Sequence, residues 1–271
     1  MKKPYKITMI GCGNMGTVIM ERLLEAKLVT KNNLTGCDHS PAVRSTLKKM
    51  GVKVEKDVYQ AIKSTNIIFL AIKPQQYKLV AEELEEKLND NQLVISVMAG
   101  VTYKTLSKHL AHKNIVRTMP NLAAKIGRSI TAWYAPASVA KSNSAVVTDL
   151  LSAIGTSLPV KTESMIDKVT AISGSGPAYF FYTAELLEQQ ARGLGFTKDE
   201  AAQLVTETFY GAAQLSENDL RTSAELRKAV TSKKGITEAA LNKLGPQFVS
   251  IWKSAIQAAY KRAKIISKKY E

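Results

Sequence analysis

Cysteine is nearly missing: Cys12 and Cys37 are the two in 271 residues, too few for the disulfide framework of a secreted domain. Neither they nor the three histidines, His39, His109 and His112, fall at metal-ligand spacing. No metal is therefore expected, the compartment is expected to be reducing and cytoplasmic, and the histidines read as surface residues. Long apolar runs are also lacking. The cleanest, residues 67–72, is strand-sized and far short of the ~20 residues of a membrane helix. Met1-Lys2-Lys3 begins like a secretory leader, but Pro4, Lys6, Gly11, Gly13 and Gly16 interrupt any apolar stretch behind it, and no leader is expected. There is no low-complexity tract and no internal repeat. Acidic residues are scarce beside basic ones, 23 against 38, which leaves a net charge of +15. That balance raises polyanions as partners, yet the basic residues are dispersed, without stacking aromatics or a groove-reading motif. The densest group, from Lys261-Arg262 to Lys268-Lys269, suits the end of a helix, where cations meet the dipole. Neither a nucleic acid nor a membrane is expected as partner.

What is present is a chain long enough for one large domain or two modest ones, at roughly 100 to 200 residues each. Apolar runs at 7–10, 34–37, 52–54, 67–72, 93–97 and 115–119 alternate with segments of helical period, which predicts an α/β domain with a parallel sheet covered by helices. Ser40 before Pro41 reads as an N-cap with proline at the first helical position. Runs at 129–135 and 158–160 flank a helical stretch at 138–154. Beyond about residue 162 this alternation stops, and Ala-, Leu-, Glu- and Lys-rich segments at 178–193, 198–216, 223–230 and 246–269 predict helices alone. The division is therefore 1–162 and 163–271. Phe248, Val249, Trp252, Ile256, Ala259, Tyr260 and Ala263 give the last helix more apolar surface than water tolerates. Its partner is a neighbouring helix or a second copy of the chain.

Ile10-Gly11-Cys12-Gly13-Asn14-Met15-Gly16 follows the first strand and opens a helix. In a dinucleotide site the three glycines make the tight turn, admit the pyrophosphate to the backbone and let helix pack on strand, while the amides and helix dipole hold the phosphates. Asp38, about twenty residues on at the end of the second strand, completes the pattern. Its charge favours the free ribose hydroxyl of NADH; His39, Ser40 and Arg44 together would accept the 2′-phosphate of NADPH, and both cofactors stay open. Arg44 also reads as a solvated helix residue. Cys12, near a helix N-terminus, is either a thiol of lowered pKa or a small residue fitting beneath the cofactor.

Further strand ends carry Ala71-Ile72-Lys73-Pro74, Ala99-Gly100-Val101 and Arg117-Thr118-Met119-Pro120-Asn121, at the carboxyl edge where open α/β sheets bind ligands. Ala71, Lys73, Pro74, Ala99, Gly100 and Asn121 are read as cofactor contacts beside Gly11, Gly13, Asn14, Met15, Gly16, Asp38, Ser40 and Arg44. The helical half contains Ser173-Gly174-Ser175-Gly176-Pro177-Ala178-Tyr179. This ordered set resembles the pyrroline-5-carboxylate reductase family, over essentially the whole chain. The resemblance implies a Rossmann-like N-terminal domain, an all-α C-terminal domain that interlocks with that of a second subunit, and dimers that commonly assemble into decamers. It implies NAD(P)H-dependent reduction of 1-pyrroline-5-carboxylate to proline, and a substrate loop of the form Val-x-Ser-Pro-Gly-Gly-x-Thr. The matching stretch here is Val230-Thr231-Ser232-Lys233-Lys234-Gly235-Ile236-Thr237. By resemblance the Ser232 hydroxyl and the amides around Gly235 and Ile236 hold the substrate carboxylate, Thr237 faces the ring nitrogen as the catalytic position, and Ser175 joins the substrate site. A helix starting at about Thr237 would offer an anion its free amides, with Thr237 also its N-cap. The chain departs from the family at Lys233-Lys234, where Pro-Gly is usual, and at Leu122-Ala123, where Thr-Pro is common. These departures bear on substrate identity, and leave as alternatives a reductase of another cyclic imino acid and a non-catalytic dinucleotide-binding paralogue.

Overall fold

The computed structural model describes residues 5–270; the leader-like start, residues 1–4, lies outside them. The described chain forms two compact units. One ends at Ser175 and takes up the chain again from Ala259, and the other is Gly176–Ala258.

The first unit alternates strand and helix: β1 (Ile7–Ile10), α1 (Asn14–Glu25), β2 (Leu34–Cys37), α2 (Pro41–Met50), β3 (Lys53–Glu55), α3 (Val58–Ile62), β4 (Ile67–Leu70) and α4 (Tyr77–Leu84). It continues with β5 (Leu93–Ser96), α5 (Tyr103–His109), β6 (Ile115–Met119), β7 (Ser129–Tyr134), α6 (Ala137–Ser152), β8 (Gly155–Pro159) and α7 (Ser164–Val169). The strands form one sheet in the order β3-β2-β1-β4-β5-β6-β7-β8. β1, β2, β4 and β5 are buried along their whole length, as parallel strands covered on both faces are, which is why they read as short continuous apolar runs. Alternate residues serve opposite faces. Ile7, Met9, Ile67, Phe69 and Ile95 join one core with Leu23 and Met20 of α1, while Ile10, Ile68, Leu70 and Val94 join another with Ala81 and Leu84 of α4.

The expectation of a parallel sheet needs one correction: β7 runs antiparallel to β6. A parallel neighbour requires a crossover of a dozen or more residues, and the segment from Met119 to Ser129, holding a single 3-10 turn (Leu122–Ile126), is too short for one. A second correction concerns the histidines. His39 is exposed, but His109 is half-buried, and its ring stacks on Tyr77 with centroids 5.6 Å apart. His112 is buried, its Nε2 2.8 Å from the Gln92 carbonyl oxygen. An imidazole with a carbonyl partner meets the polar demand of burial, and sequence spacing shows none of this.

The second unit is helical: α8 (Gly176–Gly193), α9 (Lys198–Asn218), α10 (Ser223–Ala229) and the larger part of α11 (Ile236–Lys269). α9 and α10 open with capping boxes, Thr197 with Glu200 and Thr222 with Glu225. The hydrogen bonds from each threonine hold its glutamate below the usual carboxylate range. α11 unites two stretches that the sequence reads separately, the helix expected from about Thr237 and the one expected over 246–269: it starts at Ile236 and runs through Gly245-Pro246 as one helix of 34 residues, about 51 Å long. Proline removes one intrahelical bond, and the helix continues past it with Phe248 and Trp252, whose rings meet edge-on, as do those of Trp252 and Tyr179. Among the residues of this unit whose burial is described only Gly176, Ala201 and Val205 are buried, while Phe180, Phe181, Tyr182, Tyr210 and Val249 stand more than half exposed.

The last turns of α11 belong to the first unit. Ile266 sits against Gly100, Ser267 donates to Asp167 at 3.4 Å, and the Tyr270 carbonyl accepts from the Tyr77 hydroxyl at 3.1 Å. No helix of the described residues is long and apolar enough to cross a membrane.

Candidate functional site

β1 has β2 on one side and β4 on the other, so chain order reverses there, and the crevice outside the carboxyl ends of those strands is where open α/β sheets take ligands. The glycine loop occupies that crevice. Gly11 has φ +85, and a Cβ there would lie 2.8 Å from the Ala71 backbone, so the turn tolerates no other residue without strain. A Cβ on Gly16 would land on the Gly11 carbonyl oxygen, which makes Gly16 the point where α1 rests on its own loop. Gly13 differs from both. A Cβ there meets nothing within 4 Å. The space above it is free of protein, just where α1 begins and its unpaired amides point outward.

Asp38 ties this loop to the next. Its Oδ2 accepts from the Cys12 amide at 2.9 Å and its Oδ1 from the Ser40 amide at 2.8 Å. A carboxylate has about four lone-pair sites, so each oxygen keeps capacity for a further donor. Ser40 caps α2. Arg44 turns back: its Nη1 donates to the carbonyls of Asp38 and His39, at 2.9 and 2.7 Å. Cys12 is buried beneath the loop, its Sγ 3.5 Å from the Met9 carbonyl oxygen. Burial first, and the Asp38 charge second, push both the Cys12 and Cys37 thiols up to about 12. They remain protonated and poorly nucleophilic at neutral pH, so of the two readings of Cys12 the structure favours the packed residue.

A cleft of about 510 Å³ opens at this edge. Of the residues expected at the cofactor, Gly11, Gly13, Asp38, Ala71 and Lys73 line it, with His39. Asn14, Met15 and Gly16 form the first turn of α1, and Pro74 opens a 3-10 turn behind Lys73. Ser40, Arg44, Ala99, Gly100 and Asn121 are not part of the lining. Ile10, Cys37, Lys56, Val58, Ile72, Gln76, Leu79, Val80 and Glu83 complete the wall and were not among the expected contacts. The signal was available for some of them: Lys56 and Ile72 closely follow strands that end at the same edge.

Asn121 has a different set of partners. Its Nδ2 donates to the carbonyl and the hydroxyl of Ser173, at 3.2 and 3.1 Å, and its Oδ1 accepts from the Ala123 amide. It thereby brackets the Ser173-Gly174-Ser175 motif, which forms a π turn (Thr170–Gly174) closed by the Ser175 amide on the Thr170 carbonyl. A Cβ on Gly174 would come within 2.9 Å of the Met119 methyl. Nearby, Arg117 is buried on β6 and donates to Glu163 at 3.1 Å and to Asp167 at 2.8 Å.

Ser232, Gly235, Ile236 and Thr237 lie together in the helical unit, in and just after the connection of α10 to α11. The Gly235 amide donates to the Ser232 carbonyl at 3.0 Å and closes a turn. Helix α11 starts at Ile236, so Thr237 is its second residue and not its N-cap, and it is an exposed residue. Ser232 is likewise exposed.

A dinucleotide cleft at the switch point of the sheet, followed in the same chain by helices that keep their apolar side chains outward, marks a nicotinamide-type oxidoreductase with a helical assembly domain. Profiles of known families agree. One described as NADP oxidoreductase coenzyme F420-dependent matches residues 6–100, and one described as pyrroline-5-carboxylate reductase dimerisation matches residues 163–266. The chain belongs to the pyrroline-5-carboxylate reductase family. It is 36% identical over 267 residues to the pyrroline-5-carboxylate reductase of Vibrio alginolyticus, covering 97% of this chain and 98% of that one. A pyrroline-5-carboxylate reductase structure from Coxiella burnetii superposes with a TM-score of 0.91 at 34% identity, covering 98% and 99% of the two chains. A Plasmodium falciparum pyrroline carboxylate reductase crystallised with NADP bound shares the fold, with a TM-score of 0.86 at 24% identity over 97% and 98%. The helical half thus carries an oligomerisation domain.

Proposed function

We propose that the protein reduces 1-pyrroline-5-carboxylate to proline with a nicotinamide dinucleotide, in the cytoplasm, as a dimer held by its helical domain and built up further into a decamer. The functional border is placed at about residue 162, ahead of the compact unit that begins at Gly176. The observation that carries the reading is the space over Gly13, where an added Cβ would meet no atom of another residue within 4 Å beyond its chain neighbours and which opens into the cleft, in a chain alike from end to end to named reductases of this imine.

The residues fit the cofactor. Gly11, Gly13 and the first turn of α1, Asn14, Met15 and Gly16, would hold the pyrophosphate by backbone amides. Asp38 would accept from the ribose with the lone pairs that Cys12 and Ser40 leave free, and since Arg44 spends its Nη1 on carbonyls, NADH is the preferred form. Ala71, Lys73 and Pro74 would flank the dinucleotide beyond the ribose; Ala99, Gly100 and Asn121 shape its far end from behind. When bound, reduced nicotinamide supplies the hydride for the C=N carbon.

The remaining work falls to the substrate loop. The Gly235 amide is taken up inside the turn, so the substrate carboxylate falls to the amides of Ile236 and Thr237 at the head of α11 and to the Ser232 hydroxyl. Thr237 would orient the ring nitrogen by its hydroxyl, and Ser175 would line the ring. A hydroxyl of ordinary pKa is a poor acid, so the imine nitrogen takes its proton from water and Thr237 acts by orientation.

The test is turnover of purified protein with 1-pyrroline-5-carboxylate, with its six-membered analogue alongside and with NADH and NADPH in turn. The five-membered imine with NADH should give the highest kcat/KM. Thr237→Ala should lower kcat by about tenfold or more, within the range of lost orientation, while dinucleotide affinity stays unchanged; unaltered turnover would remove Thr237 from the site.

A further inference from the structure

The loop that the family resemblance assigns to the substrate carries Lys233 and Lys234 at the two residues on which its shape depends. The Ser232 carbonyl and Gly235 amide close a four-residue turn whose third residue, Lys234, has φ +61. A left-handed third residue is what a Pro-Gly pair provides for: proline sets the second position and glycine accepts the third without a Cβ clash. Here Lys233 and Lys234 stand in those places, and their local preference opposes the turn. A Cβ on Gly235 would press on the Ser232 hydroxyl and come within 3.0 Å of the Ser232 carbonyl oxygen, so the turn is tight at its fourth residue.

Something else holds the loop. The Lys234 amide donates to Glu238 Oε2 at 2.7 Å, a charge-assisted bond made at the residue that is strained. Glu238 sits in the first turn of α11, where the helix dipole favours a negative charge. We propose that Glu238 is a positioning residue for substrate binding: its carboxylate fixes the Ser232–Gly235 turn in place of the missing Pro-Gly pair. Through Lys234 it sets the Ser232 hydroxyl beside the amides that open α11. The role rests on reading this loop as the substrate site. A glutamate that only stabilised the helix would alter melting and leave substrate affinity alone.

The experiment uses the full-length enzyme with Glu238→Ala, Glu238→Gln and the pair Glu238→Ala with Lys234→Gly. Glu238→Ala should raise KM for 1-pyrroline-5-carboxylate about tenfold, the scale of one left-handed residue losing its support, without a change in dinucleotide Kd. Glu238→Gln keeps an oxygen acceptor and should stay close to the parent. Adding Lys234→Gly to Glu238→Ala should bring KM back, because glycine needs no clamp. Unchanged KM in Glu238→Ala, or no recovery with Lys234→Gly, would overturn the proposal. Amide hydrogen exchange at Lys234 needs no turnover and separates the two readings. If the parent protein fails to reduce the imine, the functional assignment falls, and the exchange decides the clamp: protection lost in Glu238→Ala sustains it, protection retained removes it.

Discussion

A methyl group added at Gly13 and one added at Gly16 ask different questions of the same loop. At Gly13 it enters empty space, so Gly13→Ala should melt like the parent but bind dinucleotide at least about tenfold more weakly, as expected for a side chain placed where the phosphates are proposed to bind. At Gly16 it meets the Gly11 carbonyl, so Gly16→Ala should lower the melting temperature and weaken binding together. Calorimetry and fluorescence titration separate the two; equal melting of both variants would refute the distinction. The spacing of the glycines was legible in the sequence because it is a local backbone requirement. What Asp38 and Arg44 do was only half legible. Their types and positions follow from the motif, but the commitment of the carboxylate to two amides, and of the guanidinium to two carbonyls, depends on where neighbouring loops lie.

At the scale of elements, Arg117 joins β6 to α7. Its guanidinium is buried among Glu163, which also accepts from the Tyr103 amide, and Asp167, which also accepts from Ser267. Its Nε has no partner among the described residues. Arg117→Met would leave two carboxylates close together without their cation. Removing one partner of a buried pair typically costs about 3–5 kcal/mol; since both acids keep some access to water, roughly 2–4 kcal/mol is expected here. Urea denaturation checks it, and a loss below about 1 kcal/mol would mean the pairing contributes little. None of this could be read in advance, since Arg117 lies some fifty residues from its partners. Strands fared better: β1, β2 and β6 have the bounds their apolar runs predict, because burial on both faces leaves a continuous signature. β7 kept its place and reversed its direction, which periodicity does not encode. α11 was divided in two because a Gly-Pro pair reads as punctuation, whereas packing of Phe248, Trp252 and Tyr179 sustains one helix from Ile236 through and beyond it.

For the whole molecule, the helical unit leaves too much apolar surface uncovered to stand in water alone. Phe180, Phe181 and Tyr182 on α8 are each about three-fifths exposed, in the part of the chain matched by a dimerisation profile. Phe181→Glu should therefore lower the mass seen by light scattering toward that of a single chain, or drive aggregation, while the cofactor unit still binds dinucleotide. An unchanged mass would exclude α8 from the interface. The surplus of positive charge has a modest part at this scale: dinucleotide and imino acid are both anions, and a positive field speeds their encounter.

The two strands at the ends of the sheet limit how such assembly proceeds. β3 is three residues long and carries Lys53 and Glu55 exposed, and β8 ends in Pro159. Short, charged or proline-terminated borders offer no template for a strand from another molecule. Copies of this chain can crowd together through their helices without their sheets fusing into a continuous ribbon, which keeps reversible association apart from the route to fibrils.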